Sequence, residues 1–80
     1  MGTKEAVANR IIALCDERGI AIHALATTAG MSPMTVYSIL NSKSQNPGIV
    51  TIKKLCDGLE ITLGEFFNTP EFDALEQEIK

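Results

Sequence analysis

Apolar residues recur along this chain at helical spacing, and polar punctuation cuts the pattern into short segments. Val7, Ile11, Leu14 and Cys15 form one stripe, with Ala8 and Ile12 beside it and Lys4, Glu5, Arg10 and Glu17 on other faces. That spacing predicts a first helix over about residues 3–18, stopped by Gly19 in a left-handed conformation. Ile22, Leu25, Ala26 and Ala29 share one face of a second, short helix over about residues 22–29. Gly30 fits the position just past its end, and Met31 is placed to fold back as the apolar contact that accompanies such a stop. Ser32 is a good N-cap and Pro33 suits a first helical position, so a third helix is predicted over residues 33–40, burying Val36, Ile39 and Leu40.

Residues 41–48, NSKSQNPG, read as a polar loop closed by Pro-Gly. A fourth helix follows from about Ile49, with Ile49, Ile52, Leu55, Cys56 and Leu59 inward and its end near Gly58. Thr62 and Glu65 have capping-box spacing and open a short helix ending near Asn68, with Phe66 and Phe67 as core bulk. Thr69-Pro70 caps a last helix over about residues 70–79, with Phe72, Leu75 and Ile79 on one side and acids on the other. This stripe packs on its own domain in the simplest reading; a dimer seam is the second. Nothing alternates with period two for long enough to form a strand. The expected class is all-α: five helices plus a C-terminal sixth, in one domain over residues 1–80 with a core at about 3–68.

Charge changes the picture more than composition does. The net charge of −3 argues against a polyanion partner, but there is no Asp or Glu from Gly19 through Cys56, a window holding Lys43, Lys53 and Lys54. Up to Asp57 the chain carries six Lys/Arg against four acids, a balance of +2; beyond it one Lys faces six acids, a balance of −5. No apolar run has bilayer-spanning length and no secretory leader is evident, so a soluble, cytoplasmic protein without a membrane partner is expected.

Candidate chemistry narrows the classes further. Cys15 and Cys56 lie on apolar stripes with no Cys or His at ligand spacing, which favours buried free thiols over a disulfide or a metal site. A single His, no Gly-rich phosphate loop and no carboxylate pair in an apolar setting give no recognisable catalytic site, and no cofactor is implied. What does stand out is the order of features over residues 22–41. Two short helices are joined by a Gly-containing turn, with small Ala26 where the helices approach closely.

On these residues the chain resembles the Cro-like and phage-repressor-like helix-turn-helix (XRE) family. The likeness extends from the first helix through Phe67, taking in NSKS after the third helix, the Asn-Pro before the fourth and LEITLGEFF after it. The resemblance implies a compact five-helix lambda-repressor-like domain that binds double-stranded DNA to regulate transcription, generally as a homodimer. It implies base-edge contacts from Pro33, Met34, Thr35, Tyr37 and Ser38, and DNA-backbone contacts from His23, Asn41, Ser42, Lys43 and Ser44. A Gln often opens the second helix in this family; Ile22 stands there and cannot make its hydrogen bond. The family's charged pair between the first helix and the end of the third is replaced by apolar Cys15 and Leu40.

The reading face carries no Arg, Asn or Gln, the side chains whose paired hydrogen bonds separate bases best. Thr35 and Ser38 offer single hydrogen bonds and Met34 a contact with a thymine methyl, so direct readout is expected to be modest and to lean on DNA shape. Each of these residues also has a plain reading: Thr35 and Ser38 as solvated side chains, Tyr37 as a cover for the core rim, Met34 as a plug for a partner surface. His23, Lys53 and Lys54 read as surface residues first, whereas Lys43 reads as a phosphate contact first. A protein-interaction module that keeps the fold without DNA binding is the alternative function.

Overall fold

Helix stops of one kind set the directions of the chain. In the computed structural model, which describes residues 2–41 and 46–79, α1 (Thr3–Arg18) ends where Gly19 turns left-handed at φ 65°. The Gly19 N–H donates to the Asp16 carbonyl and the Ile20 N–H to that of Cys15, satisfying carbonyls the helix end would leave open. After α2 (Ile22–Thr28) the same pair of bonds runs from Gly30 to Thr27 and from Met31 to Ala26, with Gly30 at φ 71°. Met31 folds back onto the core, as the sequence predicts.

The third stop falls near Gly58, as the sequence predicts, but another residue makes it. α4 (Ile49–Leu59) ends one residue past Gly58, and Glu60 takes the left-handed position at φ 58°. Gly58 serves packing instead. A Cβ there would stand 3.3 Å from the Cβ and N of Ala29 and from Cδ1 of Leu25, so its absence lets α4 approach α2 closely. Glu60 therefore occupies a conformation that costs a non-glycine residue about 1 kcal/mol, with a carboxylate at the negative end of the helix dipole. Glu60→Gly removes that strain and adds freedom to the unfolded chain, so a net gain of about 0.5 kcal/mol, or a rise in Tm of about 2–4 °C, is expected. A Tm lowered by several degrees in a thermal melt would show that the Glu60 conformation carries less strain than glycine costs in entropy.

Between these turns lie α3 (Pro33–Leu40), α5 (Leu63–Phe67) and α6 (Pro70–Asp73). α5 opens on a complete capping box: the Thr62 side chain accepts from the Glu65 N–H and the Glu65 carboxylate accepts from the Thr62 N–H, both at 3.0 Å. No strand occurs among the described residues, and the fold is all-helical. One core collects Val7, Ile11, Leu14 and Cys15 from α1, Leu25 and Ala26 from α2, Val36 and Ile39 from α3, Ile52, Leu55, Cys56 and Leu59 from α4, and Phe66 from α5. Both cysteines are free and buried; burial pushes their thiols up, with Asp16 beside Cys15 and Asp57 beside Cys56 adding to the rise. They act as small protonated hydrophobes rather than as reactive groups.

Two expectations give way. Ile49, placed with the buried stripe of α4 by its spacing, is 60% exposed, while Ile52, three residues on, is buried. The last helix is a single turn, and residues 75–79 are not helical. Phe72 packs against Phe66 and Phe67, while Ile79 is 86% exposed, so the Phe72/Leu75/Ile79 stripe does not exist as a helical face. A continuation would have been opposed by like charges at Asp73 and Glu76, three residues apart, and an isolated helix that short has too little cooperativity to persist. Instead the chain turns back to α1, where the Glu78 carboxylate accepts from the Thr3 hydroxyl at 2.7 Å. Arg10 forms a second long-range tie: its guanidinium donates to the carbonyls of Phe66, at 2.8 Å, and Glu65, at 2.9 Å, a cation on the open end of α5.

Candidate nucleic-acid interface

α2 and α3 pack through Leu25, Ala26, Val36 and Ile39, all buried, and this contact fixes the angle at which α3 crosses the surface. The start of α3 is pinned by its cap: the Ser32 side chain accepts from the Met34 N–H at 3.2 Å, and Pro33 occupies the first turn. Val36 and Ile39 point inward, and Leu40 packs half-buried at the core edge. The opposite side of α3 is a continuous exposed arc. Met34 and Ser38 stand one turn apart along its middle, with Tyr37 on one flank and Thr35 on the other. Met34 is 74% and Tyr37 50% exposed.

Four of the five residues expected at base edges thus lie together on one outward face. Pro33 is half-buried at the start of the helix. Among the described residues, neither the Thr35 nor the Ser38 hydroxyl has a hydrogen-bond partner, which leaves both available to a ligand. Of the residues expected at the DNA backbone, His23 is exposed near the start of α2 and Asn41 is exposed at the end of α3. Ser42, Lys43 and Ser44 lie outside the described residues. Ile22 packs against the core, and Cys15 and Leu40 also join it, so the positions of the family's polar pair contribute only packing here.

The structure adds surface that the sequence reading passed over. Ala24, Thr27 and Thr28 line the exposed side of α2, but the two hydroxyls are spent inward, Thr27 on the His23 carbonyl at 3.2 Å and Thr28 on that of Ala24 at 3.0 Å. The Thr-Thr pair within a predicted helix was a signal for such back-bonding. Ile49 and Val50 are exposed at the start of α4; the spacing of Ile49 groups it with the core residues, whereas Val50 lies off that stripe. Lys53 forms an ion pair with Asp57 one turn along α4, which offsets part of its positive charge. No helix among the described residues is long and apolar enough to cross a membrane.

Known proteins place this geometry. The chain is similar in structure to a protein solved as the crystal structure of the prophage Lp1 protein 11. The TM-score is 0.82 at 32% sequence identity, covering 94% of this chain and 100% of that one. No curated protein is similar enough in sequence to be matched to it. Residues 10–71, which span the helix-turn-helix and most of the core, match the family described as the Cro/C1-type HTH DNA-binding domain. The chain belongs to the Cro/C1-type helix-turn-helix DNA-binding family.

Proposed function

We propose that this protein is a sequence-specific transcriptional repressor that inserts α3 into the major groove of double-stranded DNA and binds as a homodimer. The observation that carries the reading is the exposed arc of α3. It is a free helical face bearing two unpartnered hydroxyls, in a stretch without a single acid from Gly19 through Cys56. A major groove admits one α-helix, and an acid-free face meets phosphates without repulsion. Met34, Thr35, Tyr37 and Ser38 face base edges in this reading, with Pro33 at the entry of the helix. His23, Asn41, Ser42, Lys43 and Ser44 meet the sugar-phosphate backbone.

Titration of the protein against a random-sequence duplex pool at two salt concentrations tests the proposal. Affinity is expected to fall as salt rises, by roughly forty-fold between 50 and 200 mM for every three phosphates neutralised, because released counterions drive binding. Lys43→Ala is expected to weaken all sequences alike and lower the salt slope by about one. Selection of bound duplexes should return an inverted repeat if two copies bind together. Absence of binding at low salt would instead favour a protein-interaction module, the reading that exposed Met34 and Tyr37 would then serve.

A further inference from the structure

We infer that α3 reads the C5-methyl groups of thymine in the major groove, so that the half-site is defined by where its methyls lie rather than by purine edges. The inference rests on the reading of α3 as the DNA-facing helix and names what that helix recognises. Its exposed arc offers two kinds of chemistry. Thr35 and Ser38 present hydroxyls that can either donate or accept. A hydroxyl therefore satisfies the O4 acceptor of thymine and the N4 donor of cytosine equally, and likewise the O6 of guanine and the N6 of adenine. The remaining groups are apolar: Met34, 74% exposed, at the middle of the arc, and the Tyr37 ring on the flank.

In the major groove the thymine methyl is the one apolar feature that separates T·A from C·G. A flexible, polarizable thioether suits it, since Met adapts its shape to a small projecting group. The arc contains no cation and no amide, so no competing fork-like contact to guanine or adenine sets the register from these four positions. Discrimination at the bases then falls on contact between Met34, Tyr37 and methyl groups.

The test uses the full chain and duplexes selected by it from a random pool, resynthesised with deoxyuridine in place of thymidine. This removes the methyl and leaves every Watson–Crick edge intact. Competition at one salt concentration is expected to favour the thymidine form by about four-fold for each methyl contacted. In Met34→Ala combined with Tyr37→Ala the preference should shrink toward parity while salt-dependent binding persists. Equal affinity of the unaltered protein for both forms, with binding still salt-dependent, would overturn methyl reading and leave the DNA-binding proposal standing. A preference undiminished in the double variant would assign the effect to duplex shape and overturn it too. Failure of the thymidine duplexes themselves to bind would remove both readings together.

Discussion

Replacing Phe66 with alanine is expected to remove about 3–5 kcal/mol of stability, measured by chemical denaturation. Phe66 is the largest of the fully buried side chains and belongs to the shortest helix that contributes to the core. Its ring meets Phe67 edge-on at 4.8 Å and lies 6.1 Å from Phe72; Phe67 and Phe72 in turn meet at 4.9 Å. Such aromatic pairs are worth about 0.5–1.5 kcal/mol beyond the area they bury. The five residues of α5 cannot sustain a helix alone; the capping box and the Arg10 guanidinium close its two ends, and Phe66 supplies the reason for it to dock. A chain of 80 residues has a total stability of roughly 4–12 kcal/mol, so the variant should be largely unfolded near its normal melting temperature. A loss below about 1 kcal/mol would mean that the site collapses around the cavity and that the three rings do not hold the C-terminal end.

The second large effect falls on binding and spares the fold. Ser38→Glu is expected to lower duplex affinity by on the order of 100-fold, because a carboxylate thrust between phosphates costs several kcal/mol. Ser38 is exposed, lies on the middle of the α3 arc and has no hydrogen-bond partner among the described residues. Its replacement should change stability by no more than about 0.5 kcal/mol. Gln77→Glu adds the same charge to the exposed acidic C-terminal stretch and serves as the control, with affinity close to that of the unaltered protein. Anisotropy titration of both variants, with melting curves alongside, reads the difference. Undiminished binding by Ser38→Glu would show that the arc of α3 does not face the duplex.

Much of this molecule is legible in the chain because its helices announce their own ends. Gly19, Gly30, Ser32-Pro33 and the Thr62/Glu65 pair are local devices, and each is found acting where the sequence places it. Gly58 stands close to a helix end for a different reason. A glycine near a helix end signals a stop through backbone conformation, whereas here it answers to Ala29 and Leu25 on another helix. Ile49 does mislead: periodicity gives its angle around α4 but not whether a neighbour stands opposite. The C-terminal stripe misleads as well, because an apolar spacing of three and four residues describes a helix only if something packs on it.

By itself, then, the sequence determined the helical class, the turn between α2 and α3, the outward placement of Met34, Thr35, Tyr37 and Ser38, and the acid-free stretch that contains them. These follow from short-range stereochemistry and from counting charges. The tertiary structure alone decided that Ile49 is left exposed at the start of α4 and that Gly58 meets Ala29 and Leu25 on α2. It also decided that Arg10 closes α5 and that the last helix stops after Asp73. Each of these outcomes depends on which groups meet in space, and a one-dimensional pattern carries the period of a helix but not the identity of its neighbour.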